Sequence, residues 1–158
     1  MSKPLDVLLV TPPSRMQVYQ ELSRDFAAIE PPVWSGLIAT FLRQHSCSVA
    51  ILDAEAQGLN HQQTAERIAA IAPRLAVFVI YGQQPSASTQ CMPAGRKVCE
   101  ILTTLADIPT LVMGTHPSAL PKRTLLEEPY TYVCQGEGPA TILGLVIALR
   151  APQHSLRE

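Results

Sequence analysis

Charge is scarce in this chain. Asp, Glu, Lys and Arg make up 16% of its 158 residues and nearly cancel, to a net charge of −1. An electrostatic grip on nucleic acid or on an anionic membrane needs a basic surplus, and none is present. Aromatic side chains amount to 5%, too few for a platform on which bases stack. No apolar run approaches the roughly twenty residues that span a bilayer. The first run, residues 5–10, is interrupted by Asp6 and stopped by Pro12, which argues against a signal peptide. Four cysteines, Cys47, Cys91, Cys99 and Cys134, form no CxxC pair and no zinc spacing. That is the pattern of buried, reduced thiols in a cytoplasmic protein. GxGxxG, GxxxxGK(S/T) and GxSxG are all missing, which removes the common nucleotide-binding and serine-hydrolase signatures. A receiver-type phosphoacceptor site is disfavoured too. It needs a tight acidic cluster, but Asp6 and Asp53 are the only acids near the first two strand ends, and no Lys follows the fifth strand.

The apolar content is 47%, enough for a sizeable core in a chain of one domain's length. Strand-like runs occupy residues 5–10, 48–52, 75–80, 109–113 and 130–134, and 75–80 is apolar throughout, as a strand covered on both faces should be. Helical patterns fall between them. Val33, Leu37, Phe41 and Leu42 form a stripe opened by Pro31-Pro32 and ending near His45. Asn60 is a good N-cap for 61–71, which Pro73 stops. Further helices are expected over 91–106, with Pro93 in the first turn, over 122–128, and from Pro139 to about 149. A helical turn is expected over 19–26 in the long first connection. The alternation predicts an α/β fold: a five-stranded parallel sheet with helices on both faces and right-handed crossovers. One domain is expected over 1–150, with 151–158 as a tail or the start of a linker.

What is plentiful is the small, polar, nearly uncharged loop at a strand end. Thr11-Pro12-Pro13-Ser14 follows the first strand. Tyr81-Gly82-Gln83-Gln84-Pro85-Ser86-Ala87-Ser88-Thr89 follows the third, Gly114-Thr115-His116-Pro117-Ser118-Ala119-Leu120-Pro121 the fourth, and Gln135-Gly136-Glu137-Gly138 the fifth. In a parallel sheet these loops gather at the carboxyl edge, where ligands sit. They suit close backbone approach to a large, nearly neutral ligand better than acid-base chemistry. Pro12 and Pro13 lack the N–H groups that would cradle a pyrophosphate. Each loop also has a plainer reading. Gly136-Glu137-Gly138-Pro139 is either a turn and helix start or a glycine gap admitting a ligand tail. The amides and hydroxyls of 83–89 either cap a helix or contact a ligand. His116 is either a hydrogen-bonded structural residue or a metal ligand. Trp34, Tyr19 and Phe26 fit a core or a partner surface better than a cofactor stack.

The run Pro31-Pro32-Val33-Trp34-Ser35-Gly36-Leu37-Ile38-Ala39, then Ile51-Leu52-Asp53-Ala54, then the loops beginning at Tyr81, His116 and Cys134 resemble the N-terminal cobalamin-binding domain of B12-dependent radical SAM enzymes. The likeness runs over about residues 5–149. It implies a Rossmann-like, flavodoxin-type sheet holding cobalamin (B12) at its carboxyl edge. It implies contacts from Thr11, Pro12 and Pro13 on one side and from Gln83, Gln84, Pro85, Ser86, Ala87 and Ser88 under the corrin face. Gly114 and Thr115 would stand where better-known B12 domains carry a Gly-Gly pair flanking the nucleotide tail, His116, Pro117 and Leu120 would also line the cofactor site, and Gln135, Gly136, Glu137 and Gly138 would touch the tail. Two departures qualify the resemblance. The Asp-x-His-x-x-Gly signature that gives cobalt a histidine is missing, so the corrinoid is expected base-off and no residue is assigned to the metal. The CxxxCxxC that holds a [4Fe–4S] cluster through three thiolates is missing too. The cluster and S-adenosylmethionine therefore belong to a missing or separate domain, and this chain is not expected to be catalytic alone.

The expected function is a cobalamin-binding module serving a radical SAM domain or subunit, in methyl transfer or radical chemistry, in the cytoplasm and without nucleic-acid or membrane partners. The alternative is a protein-interaction domain with a degenerate cofactor site. A small enzyme using Cys91 or Cys134 with His116 is a third, weaker reading, because no nucleophile–base–orienter set is visible.

Overall fold

A computed structural model describes residues 4–14, 18, 30–81 and 85–151, with the backbone alone for 85 and 86. The turn expected over 19–26 lies outside the described residues, as does the tail from 152. The elements are β1 (Val7–Thr11), α1 (Val33–Gln44), β2 (Val49–Asp53), α2 (His61–Ile71), β3 (Leu75–Val79), α3 (Pro85–Leu105), β4 (Thr110–Met113), α4 (Thr115–Ala119), α5 (Pro121–Glu127), β5 (Tyr132–Val133) and α6 (Pro139–Arg150). The five strands form one sheet in the order β2-β1-β3-β4-β5, and every pairing is parallel. No helix among the described residues is long and apolar enough to cross a membrane.

The period-2 alternation of a strand explains the two cores. Val7 and Leu9, Leu75, Val77 and Val79, and Leu111 and Met113 point to one face, where they meet Ile38, Ala39 and Leu42 of α1 and Ile142 and Val146 of α6. Leu8, Val10, Ala76, Phe78 and Val112 point to the other, against Ala65 and Ile68 of α2 and Val98, Cys99 and Leu102 of α3. Both faces are covered, which is why the strands carry almost no polar side chain. Each large buried side chain such as Leu8 or Phe78 contributes about 1.5–3 kcal/mol.

Three local expectations change. The face of α1 that is buried is Ser35, Ile38, Ala39 and Leu42, an i, i+3, i+4, i+7 set. Val33, Trp34 and Leu37 stay exposed. The helix is apolar on most sides, so its periodicity cannot choose the inward face. The second change is at α3, which begins at Pro85, leaving Pro93 inside the helix. Pro85 suits a first turn, and the tertiary contacts of Ser88 described below anchor it. Third, residues 115–119 form the short helix α4 rather than a loop.

The helix α2 is closed as its sequence suggests. Asn60 Oδ1 accepts the Gln63 N–H at 2.9 Å, and Gln63 Oε1 accepts the Asn60 N–H at 3.0 Å, a reciprocal capping box. At the other end of the sheet, Thr110 and Thr131 exchange backbone N–H to hydroxyl bonds of 3.1 and 3.0 Å. These bonds extend the β4–β5 pairing beyond the two residues of β5, so the loop after β5 is delivered at a defined position.

Asp6 staples the amino edge. It is fully buried and lies just before β1, opposite the strand ends that carry the loops. Its carboxylate accepts from the Ser48 N–H and hydroxyl at 2.8 and 2.7 Å and from Arg150 Nε and Nη2 at 3.0 and 2.7 Å. Arg74 lies 3.6 Å away. The Arg150 hydrogen bond, aided by those from Ser48, holds the Asp6 carboxyl far below the usual carboxylate range against the opposing effect of burial. Asp6 is therefore structural.

Candidate functional site

After β1 the chain goes outward to β2, then returns to the other side of β1 for β3. The connections at the carboxyl ends of β1 and β3 consequently diverge, and the gap between them is the place where a doubly wound sheet binds ligands. Thr11 ends β1, with Pro12 and Pro13 next. Its carbonyl accepts the Ala54 N–H at 3.1 Å, tying the β2 turn alongside. Thr11 Oγ1 is buried and has no hydrogen-bond partner among the described residues. Tyr81 follows β3, its ring stacked on Trp34 with centroids 4.8 Å apart. Burial is the main cause pushing the Tyr81 hydroxyl pKa up, with Cys134 and Glu137 adding to it. The Trp34–Tyr81 stack was not legible in the sequence, because β2, α2 and β3 lie between the two residues.

The loops after β3 and β4 are joined by hydroxyls. Ser88, fully buried in α3, donates to the Ile80 carbonyl at 2.6 Å and accepts the His116 N–H at 3.1 Å. Thr89 Oγ1 shares a 2.9 Å hydrogen bond with His116 Nδ1. Gly114, the N-cap of α4, sits at φ 148° and ψ −177°. A Cβ there would lie 2.0 Å from the Ile80 carbonyl oxygen and 3.0 Å from Ser88 Oγ. Only glycine lets the two turns close to this distance. Thr115 and His116 are half-buried, Pro117 is buried and Leu120 is exposed.

The loop after β5 is tied to α4 in turn. The Gly136 N–H donates to Ser118 Oγ at 3.0 Å, and Ser118 Oγ donates to the Gly136 carbonyl at 3.3 Å. Gln135, Gly136 and Glu137 are exposed, and Gly138 is buried at the start of α6. A Cβ on Gly136 would meet nothing within 4 Å, so the loop borders open space.

Of the expected site residues, Thr11, Pro12, Pro13, Gly114, Thr115, His116, Pro117, Leu120, Gln135, Gly136, Glu137 and Gly138 all follow the carboxyl ends of β1, β4 and β5. Pro85, Ser86, Ala87 and Ser88 belong to the first turn of α3, not to a loop, and the Ser88 hydroxyl is used inside the protein. Gln83 and Gln84 lie outside the described residues.

The chemistry of these groups is quiet. Burial pushes the Cys134 and Cys91 thiols up and Cys99 to about 11. All four cysteines are free, and Cys134 is fully buried. Thiols so placed are poor nucleophiles, which counts against Cys91 or Cys134 as a nucleophile paired with His116. No group of three or more His, Cys, Asp or Glu among the described residues could hold a metal ion.

A family model for the B12 binding domain matches residues 22–146. The chain belongs to the B12-binding domain family. No curated protein matches it in sequence. Several solved structures share its fold. One is the radical S-adenosylmethionine methyltransferase TsrM from Kitasatospora setae, with cobalamin and a [4Fe–4S] cluster bound. It has a TM-score of 0.71 at 18% identity, over 93% of this chain and 25% of that one. Another is apo, selenomethionine-labelled OxsB, a cobalamin-dependent S-adenosylmethionine radical enzyme. It has a TM-score of 0.61 at 17% identity, over 94% of this chain and 19% of that one. The chain thus spans a quarter or less of the length of these proteins.

The residues present fit the cofactor. A corrin is a large neutral macrocycle fringed with amides, and it carries a nucleotide tail. A ligand of this kind asks for unpaired hydrogen-bonding groups, open glycine backbone and few charges. Thr11 Oγ1 is buried at the switch point and unpaired among the described residues, Gly136 faces open space, and Tyr81 offers an uncharged hydroxyl.

Proposed function

We propose that this B12-binding domain holds cobalamin base-off, with no protein histidine beneath the cobalt, and presents it to a radical SAM domain on the same or a separate polypeptide. The observation that carries the base-off reading is the missing Asp-x-His-x-x-Gly signature after β1. His116, the described histidine among the carboxyl-edge loops, has Nδ1 bonded to Thr89 and its backbone N–H bonded to Ser88, so Nε2 is the ring nitrogen left for a metal and the EPR spectrum below tests it. His45 closes α1, with Nδ1 on the Phe41 carbonyl at 2.8 Å. His61 opens α2, its Nε2 buried and without a hydrogen-bond partner among the described residues, and burial together with Lys97 lowers its pKa.

In this reading Thr11, Gly136 and the turns after β3 and β4 bind and orient the corrinoid. Trp34 stacked on Tyr81 keeps water from one side. When bound, cobalamin supplies a cobalt centre suited to methyl transfer or radical chemistry. The protein contributes position and a dry, neutral surround.

The test is reconstitution of the full chain with hydroxocobalamin, removal of free ligand by gel filtration, and reduction to cob(II)alamin. Retained corrinoid absorbance and an EPR spectrum free of axial-nitrogen splitting are expected. A folded protein that retains no corrinoid removes the reading of a working site. Nitrogen splitting removes the base-off assignment.

A further inference from the structure

The loop after β5 has few supports among the described residues. The last pairing with β4 is Val112 with Val133, and one further bond, from the Cys134 N–H to the Val112 carbonyl at 2.9 Å, ends the ladder. Beyond it stand Gln135, Gly136 and Glu137, all exposed, and glycines at φ 95° and 92° flank Glu137. Glycines with left-handed backbone lose much conformational freedom when ordered. What the described residues offer residues 135–137 is the pair of bonds from one hydroxyl, Ser118 Oγ, to the Gly136 N–H and carbonyl.

Ser118 can do this because α4 is itself fixed. The N-cap of α4 is Gly114, pressed against the Ile80 carbonyl. Its second residue, His116, is held through the backbone by Ser88 and through the ring by Thr89. Ser88 reaches back to the end of β3. Three loops from three different strands are thereby joined in series by Ser88, His116 and Ser118, and Ser118 is the last link.

We infer that Ser118 is a positioning residue for the cofactor: it holds the β5–α6 loop in its binding geometry before the ligand arrives. The inference rests on the cobalamin reading above. A loop ordered in advance spares the ligand the entropy of ordering it, so affinity rises without a direct contact. The hydroxyl is half-buried and makes no bond to the hydrophobic core, so its loss affects the loop far more than the fold.

The test compares wild type, Ser118→Ala and Ser118→Thr in the full chain. Hydroxocobalamin affinity is measured by equilibrium dialysis, and hydrogen exchange at the Gly136 N–H is measured in the apo protein. Ser118→Ala is expected to weaken binding about 5- to 30-fold, since two net hydrogen bonds are lost and each is modest. It is also expected to speed Gly136 exchange at least about tenfold. The melting temperature should stay within about 3 °C of wild type. Ser118→Thr keeps the hydroxyl and should return both readouts to near wild type. Unchanged Gly136 exchange in Ser118→Ala overturns the latch. Unchanged affinity beside faster exchange overturns its role in binding, and so does a Ser118→Thr variant as weak as Ser118→Ala. If wild type itself binds no cobalamin, the cofactor reading fails and this role for Ser118 fails with it, while the exchange data still report whether the latch exists.

Discussion

Gly114→Ala is the substitution with the sharpest expected consequence. The new Cβ would stand 2.0 Å from the Ile80 carbonyl oxygen, 2.8 Å from its carbon and 3.0 Å from Ser88 Oγ. Two of these neighbours are backbone, so no side-chain rotation relieves the clash. The backbone conformation, φ 148° and ψ −177°, is in a region essentially reserved for glycine, at a cost of about 1–3 kcal/mol for any other residue. Relief requires the β4–α4 turn to withdraw from β3. That movement breaks the Ser88 bonds to Ile80 and His116, each worth about 0.5–1.5 kcal/mol net. The sum is about 2–6 kcal/mol. In a domain of this size that corresponds to a melting temperature lowered by roughly 4–24 °C. The urea midpoint should fall with little change in slope. Cobalamin retention should fall with it, because the turn borders the site. Gly144→Ala is the matched control. Gly144 lies within α6 and its Cβ would meet nothing within 4 Å, so this variant should be neutral or stabilised by up to about 1 kcal/mol. A Gly114→Ala protein that melts within 2 °C or so of wild type and keeps its corrinoid would refute the reasoning.

Asp6→Asn should cost about 2–4 kcal/mol, since it removes the carboxylate shared by Arg150 and Ser48 from a buried position. Water reaching the Arg150 side chain keeps the loss below that of a fully buried pair. Because the folded-state pKa of Asp6 is lowered, its stabilisation is complete above the ordinary aspartate value of about 3.9. It drains away as pH falls from there through the folded-state pKa. Urea titrations from pH 7 downward should therefore show a shallower acid loss in Asp6→Asn than in wild type, and parallel curves would contradict this. Thr11→Val removes a buried, unpaired hydroxyl. It should leave the apo protein as stable or up to about 1–3 kcal/mol more so, while weakening hydroxocobalamin binding in dialysis. A loss of apo stability would mean that the hydroxyl has a protein partner.

The alternation of elements was legible because its determinants are local. An unbroken apolar run such as 75–80 reads as a strand covered on both faces, and Asn60 with Gln63 marks a helix start three residues apart. The strand-end loops were legible for the same reason: their composition is written in consecutive residues. The boundaries that moved are those set by distant partners. Residues 85–90 carry little helix propensity, and α3 extends over them where Ser88 is gripped from β3 and α4. The inward face of α1 could not be read because Val33, Trp34 and Leu37 are as apolar as Ile38 and Leu42. Only the position of the sheet distinguishes them. Asp6 and Arg150 are 144 residues apart, and nothing in either neighbourhood announces the pair.

The sequence by itself determined a parallel α/β domain whose strand-end loops are neutral, rich in proline and glycine, and without phosphate-binding glycines after β1. Those properties follow from backbone chemistry and local apolar period, and their order along the chain already resembled a B12-binding domain. Tertiary structure alone decided where β1 and β3 part and which hydroxyls are spent holding loops together. It also decided that the Thr11 hydroxyl at the gap has no partner among the described residues. A serine or threonine has the same chemistry in every context, and its role is set by the atoms that folding brings within hydrogen-bond reach.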